Sequence, residues 1–135
     1  VYTGVAETAA AIAREKAQAR SGDPVTVIQV GEMENFLTTA QLALDSMIEL
    51  CDDLAFTPTE ALASQILARK TICANAVIAV TEKALEVCGG SGFMRKAGIE
   101  RLLRDAHASQ FHPLPEKRQQ MFTGRVALGL TPVAR

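Results

Sequence analysis

Apolar residues recur with helical periodicity along almost the whole chain. Short turn-forming stretches at Ser21-Gly22-Asp23-Pro24, Thr57-Pro58 and Gly89-Gly90 separate its longest segments. Apolar side chains three and four positions apart share one helix face, so runs of this length point to an all-helical fold. Val5, Ala9, Ile12, Ala13 and Ala17 predict a first helix over residues 3–20, with a largely alanine inner face that lets a neighbour approach closely. Met33, Phe36, Leu37, Ala40, Leu44, Met47, Ile48 and Cys51 predict a second helix from about 25 to 54. Its β-branched beginning, Val25-Thr26-Val27-Ile28, is also compatible with extended chain.

Leu62, Ile66, Cys73, Ala76, Val77, Val80, Ala84 and Cys88 predict a third helix from Pro58 to about Val87, with Arg69 and Lys70 beside its apolar face. Thr57 is expected to cap it, Pro58 to take the first helical position and Glu60 to complete a capping box. A short fourth helix is expected from Ile99 to about Ala108. A connector, Phe111-His112-Pro113-Leu114-Pro115, should then lead to a last helix from Pro115 to about Leu128. The predicted fold class is all-α: an up-and-down four-helix bundle with three long helices and shorter C-terminal ones.

Composition narrows the function classes. The 135 residues suit one domain spanning 1–135, and 48% apolar with 21% charged residues is the balance of a soluble globular protein. A net charge of -1 with dispersed Lys and Arg does not suggest a nucleic-acid or membrane surface as the main partner. One Tyr and no Trp argue against a stacking platform for single-stranded nucleic acid. Cys51, Cys73 and Cys88 form no metal-ligand or redox spacing, so no metal site is expected. They read as buried thiols of a protein in the reducing cytoplasm. The chain begins at Val1 inside a helical pattern and is expected to be the C-terminal part of a longer protein.

The glycine stretch admits two readings. Glycine tolerates positive φ at a helix C-terminus, which makes Gly89 and Gly90 an ordinary stop. Three positions without Cβ in Gly89-Gly90-Ser91-Gly92 would also let backbone N–H groups approach a phosphate. No strand precedes it, so it is not a dinucleotide-fold fingerprint.

Gly89-Gly90-Ser91-Gly92-Phe93, then Ile99-Glu100-Arg101 and Arg104-Asp105-Ala106, resembles the C-terminal helical domain of the acyl-CoA dehydrogenase family. The opening Tyr2-Thr3-Gly4-Val5-Ala6, the Ala19-Arg20 pair and Ile28-Gln29 are similar to the same domain, in register over nearly the whole chain. The resemblance implies an FAD-dependent oxidoreductase that dehydrogenates an acyl-CoA and works as a homo-oligomer, a dimer or tetramer. It matches Arg20 to an arginine at the FAD pyrophosphate and Gln29 to a position near the adenine half. It matches Gly89 and Gly90 to a loop that closes over the flavin nucleotide of a neighbouring subunit, with the arginine supplied by a partner copy.

Two positions depart from the family pattern. Glu86 stands where a glutamine often precedes the glycine pair, and is expected to point away from a diphosphate or to bind a hydroxyl. After Arg104-Asp105-Ala106 the family carries its catalytic glutamate; Pro113 falls at that place here, and proline takes no proton. The base is then upstream of this chain, or His112 or Glu116 substitutes for it, or the protein performs other flavin chemistry such as monooxygenation. His112 also reads as a plain connector residue, and Glu116 as a first-turn acid favoured by the helix dipole. The basic group Arg95, Lys96, Arg101 and Arg104 reads as a solvated or salt-bridged face, or as a contact for cofactor or CoA phosphates. A reading from a different class is a helical assembly module without catalysis.

Overall fold

The computed structural model describes residues 1–133. Helix α1 covers Tyr2–Gln18, α2 Pro24–Cys51, α3 Glu60–Cys88, α4 Ile99–His107 and α5 Glu116–Ala127, with short 3-10 turns between them and no strand among the described residues. Side-chain contacts fix the directions. Thr3 meets Cys73 and Arg20 meets Val87, so α1 and α3 run parallel. Glu32 meets Lys83 and Ser46 meets Arg69, so α2 runs antiparallel to α3. His107 approaches Glu82 and Thr123 bonds Ser64, so α4 and α5 together descend along α3. The fold is thus the expected up-and-down bundle, its fourth rod broken by the connector.

The core follows from α1. Ala6, Ala9, Ala10 and Ala13 are all fully buried, with Ala17 beside them, against Val77, Val80, Ala84 and Val87 of α3. Small side chains on α1 bring its axis near α3, so aliphatic residues of α3 fill the space that longer α1 side chains would take. Met33, Leu37, Ala40 and Ala43 of α2 and Ile99, Leu102 and Ala106 of α4 complete the cluster.

Several expectations are corrected. The start of α2 is helical from Pro24, not extended. Asp23 accepts from the backbone N–H of Val25 and Thr26 and from the Thr26 hydroxyl at 2.7 Å, and Pro24 takes the first helical position. This cap outweighs the β-branched propensity of Val25 to Ile28. The bonds from Thr26 hold the Asp23 carboxyl below its usual range. The cap of α3 is Thr59, whose hydroxyl accepts from Leu62 N at 3.1 Å. Thr57 and Pro58 therefore lie outside the helix, and Glu60 is a first-turn acid without a capping-box role. Pro115 precedes α5 as its cap instead of opening it.

The apolar stripe of α2 is only partly internal. Phe36 and Ile48 are exposed, as are Leu42 and Ile72 on the neighbouring outer face. Cys73 and Cys88 are buried, whereas Cys51, at the end of α2, is half-buried. The helix stops there because Asp52 to Leu54 all adopt positive φ.

Candidate functional site

Two groups of the residues singled out above lie at opposite ends of α1, a helix of 17 residues spanning ~25 Å. The first group gathers where α1 ends, α2 begins and α3 ends. Arg20 sits in the turn after α1, and Asp23 N donates to its carbonyl at 2.9 Å. The Arg20 guanidinium donates to the carbonyl of Val87 in the last turn of α3, immediately before the glycines. Arg20 and the glycine turn are therefore joined within a single chain.

The glycine turn is, first of all, a complete helix cap. Gly89 adopts φ +59, and its N–H reaches the carbonyls of Leu85 and Glu86. Arg20 takes the carbonyl of Val87, and the Ser91 hydroxyl donates to that of Cys88 at 2.8 Å. All four carbonyls that a helix end leaves open have donors. The glycines have different reasons to be there. Gly89 supplies the left-handed conformation. A Cβ at buried Gly92 would stand 2.8 Å from Leu85 Cδ1 and 3.0 Å from Cys88 Cβ, so Gly92 permits close packing on α3. Exposed Gly90 meets neither condition: its φ is not positive and a Cβ there would touch nothing within 4 Å.

Gln29 and Glu86 belong to this end as well. Gln29 Nε2 donates to Glu86 Oε1 at 2.9 Å, and Lys83 Nζ lies 2.8 Å from Glu86 Oε2 and 2.7 Å from Glu32 Oε2. The Lys83 ammonium, followed by the Gln29 amide, holds the Glu86 carboxyl below its ordinary range, while Glu32 and then Glu86 hold Lys83 above its own. Lys83 thus pairs with both Glu86 and Glu32, a contact that sequence inspection did not identify and that offsets part of their negative charge. Burial pushes the Cys88 thiol up, with Lys16 and Arg20 working the other way. Beside the Arg20 turn opens a cleft of about 240 Å³ between α1 and α2, floored by Ala17, Val27 and Val30 and edged by Arg14, Gln18 and Ser21.

The second group surrounds the connector. The Tyr2 hydroxyl hydrogen-bonds His112 Nε2 at 2.9 Å, and the two rings meet edge to face at 5.2 Å. Lys70 Nζ donates to three carbonyls in the connector and the turn before it, Ser109 at 3.2 Å, His112 at 3.1 Å and Leu114 at 3.3 Å. Pro113 is exposed. Glu116 accepts from Gln120 Nε2 at 2.7 Å within the first turns of α5, as a helix-terminal acid does. Neither Tyr2 nor Lys70 was legible as a site residue from sequence, because Lys70 is held by main-chain carbonyls that carry no sequence signal.

In the basic group, Arg104 lies within 3.9 Å of Glu100 and 3.8 Å of Asp105. Among the described residues no cluster of His, Cys, Asp and Glu could hold a metal, and no helix is long and apolar enough to cross a membrane.

Residues 1–116 match the family model "Acyl-CoA dehydrogenase, C-terminal domain". The chain is 31% identical over 132 residues to cyclohex-1-ene-1-carbonyl-CoA dehydrogenase of Geobacter metallireducens, covering 93% of this chain and 34% of that protein. It therefore spans about a third of the length of that relative. The fold is similar to the 3-HSA hydroxylase of Rhodococcus sp. RHA1, with TM-score 0.82 and 21% identity over 99% of this chain and 36% of that one. It is also similar to the HsaA monooxygenase of M. tuberculosis, with TM-score 0.79 and 22% identity over 98% and 36%. With the helix order, the glycine turn and the family model in agreement, the chain belongs to the acyl-CoA dehydrogenase family, whose C-terminal domain it matches.

Proposed function

We propose that this chain is the C-terminal bundle of an FAD-dependent acyl-CoA dehydrogenase-like oxidoreductase, contributing cofactor binding and subunit assembly to a longer cytoplasmic protein. The observation that carries the reading is the junction of Arg20 with the glycine turn, where Gly90 has neither a positive φ nor a close contact among the described residues. The residues present fit a diphosphate. A guanidinium has five donors in a planar fork, and the Val87 carbonyl occupies only part of that capacity. The open space over Gly90 lets an external group approach the backbone. Arg20 and the turn would hold the pyrophosphate, and Gln29, its amide oriented by Glu86, would face the adenine half.

Bound FAD supplies a hydride acceptor. This chain's residues bind and orient it, and exposed Leu42, Ile48 and Ile72 offer an apolar face suited to assembly into a homo-oligomer. The free state of Cys51, Cys73 and Cys88 agrees with a reducing compartment. A second reading, flavin-dependent monooxygenation, is favoured by one observation: Pro113 removes the carboxylate while His112 stands beside it on the connector.

Anaerobic mixing of the intact flavoprotein with a panel of acyl-CoAs separates these. Bleaching of the flavin by at least one acyl-CoA is the expected result. No bleaching, with substrate hydroxylation supported by NADH and oxygen, would give the second reading the case. A colourless full-length protein that takes up no FAD would leave only an assembly module.

A further inference from the structure

The connector carries more fixation than a loop between two short helices requires. Lys70 lies in the interior of α3, a helix of 29 residues, so its Cα is rigidly placed. Its ammonium has three protons and meets three carbonyl oxygens, at Ser109, His112 and Leu114. These flank His112 on both sides and include its own carbonyl, so one side chain holds the main chain around the imidazole. The ring is then fixed independently from α1, by the 2.9 Å bond to the Tyr2 hydroxyl and the edge-to-face contact. Despite this fixation Phe111, His112 and Pro113 all remain exposed, so the outward side of the connector is available to a ligand or to the rest of the protein.

We infer that Lys70 and Tyr2 are positioning residues that preset the imidazole of His112 as the polar group this end of the bundle presents to substrate, an assignment that rests on the oxidoreductase reading above. Lys70 sets where the His112 backbone stands, and Tyr2 sets how its ring is turned. Neither touches the substrate.

The test uses the intact flavoprotein with Lys70→Met, Lys70→Arg and Tyr2→Phe, and the acyl-CoA that bleaches the wild-type flavin fastest. Hydrogen exchange over residues 108–116 reads the restraint without reference to activity. Lys70→Met is expected to raise that exchange on the order of 10-fold at unchanged FAD content. It should lower kcat by roughly 100-fold, the scale of a misplaced reacting group, with a much smaller change in KM. Lys70→Arg, which can still reach carbonyls, is expected to restore part of both. Tyr2→Phe keeps the ring contact, so exchange should stay at the wild-type level while kcat falls. Unchanged exchange in Lys70→Met overturns the restraint. Raised exchange with kcat within about twofold of wild type overturns the positioning role. If no acyl-CoA bleaches the wild-type flavin, the acyl-CoA dehydrogenase reading on which the assignment rests fails and takes this positioning role with it, a result distinct from either of the others because exchange still reports the restraint.

Discussion

Arg20→Ala lowers the affinity of the intact protein for FAD by roughly 10- to 100-fold, the worth of a charge-assisted pair of hydrogen bonds to a diphosphate. Flavin content after dialysis, followed by titration of the apoprotein with FAD, measures it. The variant also deprives the Val87 carbonyl of its donor, so a loss of binding could come indirectly from a loosened end of α3. Arg20→Lys separates the two effects. An ammonium can still satisfy one carbonyl, so the melting temperature should hold. It cannot fork across two phosphate oxygens, so part of the affinity should go. Full flavin retention in both variants would remove Arg20 from the cofactor site.

The glycines of the turn respond in opposite ways. Gly92→Val destabilises the intact protein by about 2–3 kcal/mol, the cost of overpacking a filled space. The melting temperature should fall on the order of 5 °C. Leu85 Cδ1, 2.8 Å from the new Cβ, is the end of a flexible side chain and can swing aside, but Cys88 Cβ at 3.0 Å is fixed to α3 and cannot. Gly90→Val places its Cβ where nothing lies within 4 Å, at a position without positive φ, so the melting temperature of the apoprotein should stay where it is. Its FAD affinity should fall, because the new side chain fills the space that the nucleotide needs. Differential scanning fluorimetry of apo and FAD-loaded protein reads both. If Gly92→Val were as stable as wild type, close packing would not explain that glycine. If Gly90→Val bound FAD normally, the open face of the turn would not be where the nucleotide lies.

The bundle was legible because its long segments keep one hydrophobic period, and period reports tertiary burial directly. Helix starts were less so. Two threonines flank Pro58, and sequence alone does not tell which hydroxyl will reach a free N–H; Thr59 does, because its backbone is extended at the point where Leu62 N is open. Val25 to Ile28 pulled the reading toward extended chain, yet one aspartate placed ahead of a proline decided for helix. At the site, Arg20, Gln29, Gly89 and Gly90 were singled out by resemblance, and the structure brings them to one end of the bundle. Their partners Lys83 and Glu86 could be paired only once α2 and α3 were known to run antiparallel, which brings residue 29 beside residue 86 and residue 32 beside 83. Lys70 was noted only as lying beside the apolar face. The carbonyls that occupy it lie 39 to 44 positions away, in the connector and the turn before it, and belong to no side chain.

The central claim is that a diphosphate rests against Arg20 and the Gly89-Gly90 turn of one and the same chain. A crystal structure of the full-length flavoprotein measures this directly. The account predicts pyrophosphate oxygens within hydrogen-bonding distance of the Arg20 guanidinium, with the nucleotide passing over Gly90 in van der Waals contact. A nucleotide bound elsewhere in the polypeptide, with Arg20 engaged only by Val87 and the turn open to solvent, would contradict it.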